Sequence, residues 1–270
     1  MFKNGYKNMW EDFAKITSSR YLDYKFQPTY RVGLTNYLRE EWIYKFLCPK
    51  KEDIILDIGC ASGRQLFKLA NKIKEGYGVD ISEGFIDRAN KHKTQNNISN
   101  LFFKQAFLEK LPFDNNSFDK IICAEVFEHV ISKNIALKEI LRVLKNNGII
   151  TITVPNLNAD ATLWGRFLRL LCIRKFQPLN DFSQEALDRH GDAHIREFNK
   201  NGLVEWLEGN NLEVLDIKSV SFIDGPGFNF LLKFPLHISF TQKIIICFEN
   251  FLTNLNLFFG RHLVIKLIKK

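Results

Sequence analysis

Glu125-Val126-Phe127-Glu128-His129 packs two carboxylates and an imidazole into five residues. Side chains of these types can ligate a divalent cation or move a proton at a reacting hydroxyl. If the backbone turns helical after Glu125, its i, i+3 and i, i+4 relations bring Glu125, Glu128 and His129 to one face. Three roles stay open: ligands for Mg²⁺, Mn²⁺ or Zn²⁺, a general base at His129 with Glu128 in support, or purely structural hydrogen bonds. A second group lies upstream. Leu56-Asp57-Ile58-Gly59-Cys60-Ala61-Ser62-Gly63-Arg64-Gln65 sets an acid at the end of an apolar run and follows it with a glycine-bearing turn. Tyr77-Gly78-Val79-Asp80 ends in another acid. Glycine tolerates positive φ and lets a ligand approach the backbone, and a strand-end carboxylate can accept from two sugar hydroxyls.

These residues need strands to deliver them to one edge and helices to hold the strands. The pattern supplies both. Strands are expected at Asp53–Asp57, Gly76–Asp80, Leu101–Gln105, Asp119–Ala124, Ile149–Val154, Leu212–Val220 and His262–Ile268. Helices are expected at Val32–Leu47, Gly63–Ile73, from Ser82 as a cap with Phe85, Ile86 and Ala89 inward, at Ile135–Leu144 with Ile140, Leu141 and Leu144 inward, and at Lys200–Glu208. Alternation of this kind argues a parallel sheet. Asn146-Asn147-Gly148 reads as a turn, and Pro155 as the end of the fifth strand. Ile244–Phe259 reads as an amphipathic helix, with Ile244, Phe248, Phe251, Leu255 and Phe258 on one side and Glu249, Thr253 and Asn256 on another.

The turn reads Asp-x-Gly-x-x-x-Gly, and here the chain resembles the class I S-adenosylmethionine (SAM) dependent methyltransferases. Their turn usually reads Asp-x-Gly-x-Gly-x-Gly, so Ala61 stands at the middle glycine. Leu111-Pro112-Phe113 followed by Ser117-Phe118-Asp119 also resembles that family. The resemblance implies a Rossmann-like α/β fold, a seven-stranded mostly parallel sheet with helices on both faces, whose last strand is antiparallel. It implies SAM as cofactor, with Gly59, Ala61 and Gly63 along the methionine side, Asp57 near the amino group, Asp80 on the ribose and Ile81 beside the adenine. The family often places an acid where Phe107 stands; without it, Gln105, Ala106 and Phe107 are the neighbours left for the adenine. The Glu-x-x-Glu-His run resembles the metal site of small-RNA 2′-O-methyltransferases and some quinone-pathway O-methyltransferases. By that resemblance a metal would take Glu125, Glu128, His129 and His194, with His190 as the second choice for the last.

The organisation expected is an N-terminal helical extension over 1–50, including a helix from Glu11 to Ile16, and a methyltransferase domain over 51–270. Lid insertions interrupt it at about 156–195 and 223–239. Within the first, Ala161–Ile173 reads as a helix whose apolar face lies beside Arg166, Arg169 and Arg174, either a packed lid or a basic surface that touches a membrane. Trp164, Phe167, Phe176, Phe182, Phe222, Phe228 and Phe230 suggest an apolar acceptor. The acceptor classes left open are a small molecule, a lipid-linked molecule or a sugar, with O-methylation of a hydroxyl as the expected reaction. An RNA 2′-O-methyltransferase and a non-catalytic nucleotide-binding module are the alternatives. The net charge of +8 fits either an anionic partner or a lysine-rich surface. Five widely spaced cysteines without a CxxC pair argue a reducing compartment rather than a disulfide framework. With no leader and no apolar spanning run, the expected location is cytoplasmic, with peripheral contact at the inner face of the membrane as a further expectation.

Overall fold

Ile54-Ile55-Leu56 is apolar without alternation because helices cover both faces of the strand it forms. In the computed structural model, residues 7, 11, 31–130, 132–156, 198–222, 239–257 and 260–270 are described. In chain order they form α1 (Arg31–Leu47), β1 (Ile54–Ile58), α2 (Arg64–Leu69), β2 (Glu75–Asp80), α3 (Glu83–Gln95), β3 (Leu101–Gln105), β4 (Phe118–Ala124), α4 (Lys133–Val143), β5 (Leu144–Pro155), α5 (Lys200–Glu208), β6 (Leu212–Val220), α6 (Ser239–Asn254) and β7 (His262–Lys269). The strands make one sheet in the order β3-β2-β1-β4-β5-β7-β6. The first five pair in parallel. β7 runs antiparallel between β5 and β6. The Rossmann-like α/β fold expected from the sequence is the fold observed.

Successive strand residues point to opposite faces, and the core divides accordingly. Leu56, Ile121 and Ile265 pack on one face with Ile140 of α4 and Leu207 of α5. Ile55, Ile122 and Val264 pack on the other with Leu66 and Ile86. Trp42, Ile43, Phe46 and Leu47 of α1 join that second face. The N-terminal helix thus covers the sheet. Lys7 and Glu11 are helical, while the rest of the helix expected at Glu11–Ile16 lies outside the described residues.

Local chemistry moves some boundaries. α2 stops at Leu69 and continues as a 3₁₀ turn, Ala70–Lys72. The Asn100 amide donates to the carbonyls of Ala70, Ile73 and Lys74 there and tightens the last turn. β5 begins five residues earlier than the turn signal suggests. Leu144 pairs with Phe118, and the register then slips before Lys120 meets Ile149. Asn147, at φ 59°, makes the bend inside the strand. In α4 the buried face is Ala136, Leu137, Ile140 and Val143, with Leu141 at its margin. α6 keeps its two faces but turns the mixed one inward: Ile245, Glu249, Leu252 and Thr253 are buried.

The Leu111-Pro112-Phe113 run has a structural task. Arg142 of α4 donates to the carbonyls of Leu111 and Phe113, and the Leu111 N–H donates to Glu139. Phe113 packs edge-on against Phe118 and Tyr77. Both expected insertions, His190, His194, the helix at Ala161–Ile173 and six of the seven aromatic side chains assigned to the lid lie outside the described residues. The seventh, Phe222, is buried in the protein at 2% exposure.

Candidate active site

Three residues after β1 adopt left-handed backbone: Gly59, Ala61 and Gly63, with φ of 68°, 45° and 83°. At Gly59 a Cβ would lie 2.4 Å from a methyl carbon of Val126. Glycine is therefore required there by conformation and by close approach. Ala61 accepts the strain at the middle position. The turn is sewn to β2: the N–H groups of Gly59 and Cys60 both donate to the Val79 carbonyl, at 2.8 and 3.0 Å.

Asp80 organises the next step. One carboxylate oxygen accepts from the Ala61 N–H and the other from the Ser82 N–H, each at 2.9 Å. The Ile81 N–H adds a third backbone donor to this carboxylate. Ser82 also caps α3, accepting from the Phe85 N–H. Burial raises the Asp80 carboxyl to about 6, against the lowering effect of these backbone donors.

Asp57 differs. Its side chain is 1% exposed, and neither carboxylate oxygen has a hydrogen-bond partner among the described residues. Burial and then the neighbouring Asp80 push it well above the usual carboxylate range, with Arg64 opposing. A buried acid without a donor costs free energy, and native structures rarely keep one without a function. The pair Asp57 and Asp80 forms an acidic socket under the glycine turn.

The loops after β2 and β3 are joined beside it. The Gln105 amide donates to the Ile81 carbonyl at 2.7 Å, and the Ala106 N–H to the Asp80 carbonyl at 3.0 Å. Phe107 forms an isolated bridge with Lys110. Ile81, Gln105, Ala106 and Phe107 are thus brought together at the edge of the socket.

The acid-histidine run after β4 does not gather as expected. Glu125 is left-handed, at φ 56°, and the helical turn starts only at Phe127, as a 3₁₀ turn to His129. The i, i+3 relation that would align Glu125 with Glu128 needs continuous helix. Instead Glu125 accepts from Thr153 at 2.7 Å, meets His262 Nδ1 at 3.0 Å and pairs with Arg39 at 3.4 Å. Burial would raise its carboxyl, but His262 and Arg39 together with the Thr153 hydrogen bond hold it well below the usual range. Glu128 and His129 remain side by side and buried, with Nε2 3.8 Å from Oε1. Among the described residues, no three His, Cys, Asp or Glu side chains gather closely enough to hold a metal ion. The expected set of Glu125, Glu128 and His129 thus does not fit a cation, and its fourth member, His194, lies outside the described residues.

Other participants left no local sequence signal. Glu40 of α1, 2% exposed, pairs with Arg64 and Lys68 of α2, both at 2.6 Å. Glu11 crosses the start of α3, accepting from the Ser82 hydroxyl at 3.0 Å and from the N–H groups of Glu83 and Gly84. His262 could be foreseen only from strand register, which sets it opposite Pro155 and next to Glu125.

Comparisons with known proteins bear on the family and the fold. The profile of a methyltransferase-domain family matches residues 49–201, more than half of the chain. The chain is 28% identical over 173 residues to the uncharacterized methyltransferase YcgJ of Bacillus subtilis, covering 63% of this chain and 60% of that one. It is 32% identical over 149 residues to a ubiquinone biosynthesis O-methyltransferase of Bartonella tribocorum, covering 52% and 59%. The chain thus spans about three-fifths of the length of these two relatives. With the Pelagibacter ubique protein of the same name it shares 28% identity over 83% of this chain and 95% of that one. A SAM-dependent methyltransferase structure from Thermotoga maritima superposes with a TM-score of 0.59 at 20% identity, over 98% of this chain and all of that one, and shares the fold. From the glycine turn to the sheet order, and across the matched length, the chain belongs to the class I SAM-dependent methyltransferases.

Proposed function

We propose that this methyltransferase modifies a hydroxyl of a small, lipid-linked or sugar acceptor. The observation that carries the cofactor side is the unpartnered, buried Asp57 carboxylate beside Asp80. An ammonium group would complete Asp57, and the Asp80 carboxylate, at the end of β2, suits the ribose hydroxyls. Gly59, Ala61 and Gly63 give the methionine portion a backbone surface; Ile81, Gln105, Ala106 and Phe107 flank the adenine. SAM, when bound, supplies an already activated methyl on a sulfonium. The protein has to align the acceptor and remove its proton, and orientation alone can supply roughly 7–11 kcal/mol of such a barrier. His129, beside Glu128 at the carboxyl end of β4, would take the hydroxyl proton as the C–O bond forms and the methyl–sulfur bond breaks, the sulfur leaving as a neutral thioether. Glu128 supports the resulting imidazolium. No step passes through a metal.

The relatives named for ubiquinone biosynthesis support an apolar, lipid-like hydroxyl acceptor. Cytoplasmic placement belongs to the same proposal; no described helix is long and apolar enough to cross a membrane. The test is transfer of labelled methyl from SAM into source-cell extract, separated into lipid, polysaccharide, RNA and small-molecule fractions. Label in lipid or small molecules is the expected result. Label confined to RNA would replace this reading with a nucleic-acid methyltransferase. His129→Ala and Glu128→Ala should each lower turnover by about 100-fold and leave SAM affinity unchanged.

A further inference from the structure

The helix α6 presents a stripe that is left uncovered among the described residues. Ile244, Phe248, Phe251 and the adjoining Leu255 are 53%, 39%, 56% and 51% exposed. Their spacing of four, three and four residues puts them on one side of the helix, over roughly 16 Å at 1.5 Å per residue. The helix is held from its other side. Ile245, Leu252 and Thr253 are buried, and the Glu249 carboxylate accepts from the Phe222 N–H at 3.0 Å. Glu249 is the only acid of α6, so the outward face carries no carboxylate; Lys243 is exposed on it. The same asymmetry extends along the sequence. From Gly225 to Lys270 there are six Lys or Arg residues and the single acid Glu249, which is buried.

We infer that the α6 stripe docks on an anionic lipid bilayer. Large apolar side chains beside Lys243, on a helix with no outward acid, suit the boundary between headgroups and acyl chains. The net charge of +8 favours that surface and opposes the face-to-face pairing of two copies. Placement agrees. β6 runs parallel to β1 through the antiparallel β7, so Phe222, which follows β6, lies at the same sheet end as the turn 59–63. A bilayer at α6 would bring a lipid-dissolved acceptor to the end of the sheet where methyl transfer occurs. That purpose rests on the proposed acceptor class; the docking itself requires no methyl transfer.

The test is flotation of the full chain with vesicles of phosphatidylcholine and phosphatidylglycerol, against phosphatidylcholine alone. The chain should float with the anionic vesicles and less so as salt rises. Phe248→Glu combined with Phe251→Glu should lower the bound fraction by about tenfold or more, with circular dichroism and SAM affinity unchanged. Lys243→Glu, which leaves the apolar stripe intact, should weaken binding chiefly at low salt. Absence of flotation, or equal flotation by the double variant, overturns the inference. So does light scattering that finds a dimer lost in Phe251→Glu without vesicle binding, which makes a second copy the occupant. Flotation with no label transferred to lipid would sustain the docking and overturn the lipid acceptor.

Discussion

Asp57 is a residue whose cost and use can be separated. In the free protein its buried, unpartnered charge opposes folding, because the folded state raises its carboxyl well above the unfolded value. Asp57→Asn keeps the shape and removes the charge. At neutral pH this variant should be more stable by on the order of 1–3 kcal/mol, an advantage that vanishes in acid, where the native carboxyl is protonated too. Its SAM affinity should fall by roughly 10- to 100-fold. Thermal melts and calorimetric titration read the two effects on one sample; a loss of both stability and affinity would make Asp57 a structural residue. Asp80, raised to about 6, gives the site a pH dependence near neutrality. Its ionised form accepts the hydroxyls, so SAM affinity should weaken as pH falls through about 6. The two acids interact, and the curve belongs to the pair. A variant carrying Asp57→Asn and Asp80→Asn should bind weakly and without that pH dependence.

At the scale of elements, the glycine turn works because the loop after β4 leans on it. Gly59→Ala sets a Cβ against Val126 and forces an unfavourable φ on a residue with a side chain. The variant should lose about 2–4 kcal/mol in urea melts. Adding Val126→Ala should restore the steric part and leave the conformational part, and a double-mutant cycle that is purely additive would show that the two do not press on one another. This contact also marks what the sequence can and cannot tell. The strands were legible because a parallel strand covered on both faces is a plain apolar run, as at Ile54-Ile55-Leu56. The glycine turn and the Ser82 cap were legible because their chemistry is local. The fate of Glu125 was not. Its partners, Thr153, His262 and Arg39, come from β5, β7 and α1, and only strand register brings them together. Spacing alone suggested a helix face with Glu128 and His129, whereas a single left-handed residue redirected the carboxylate. Glu11 and Glu40 were hidden for the same reason: each reaches a helix distant in the chain.

For the whole molecule, Glu125 joins the beginning, middle and end of the chain. Arg39 lies in the helix that covers one face of the sheet, Glu125 at the end of β4, and His262 at the start of the strand inserted between β5 and β6. A tie of this kind fixes how the late strand β7 docks onto the earlier half of the sheet. Removing one partner leaves the others buried around a neutral group, so Glu125→Gln should cost about 2–4 kcal/mol at neutral pH. The sign with pH follows from the depressed carboxyl. A group held below its unfolded value stabilises the fold above that unfolded value, and the contribution is lost as pH falls toward the folded one. The stability gap between the native protein and Glu125→Gln should therefore be widest above about pH 5 and should narrow steadily in acid. Urea melts of both proteins across that range measure it. A gap that does not change with pH, or a variant as stable as the native protein with reduced turnover, would move Glu125 from the framework of the sheet to the acceptor side of the reaction.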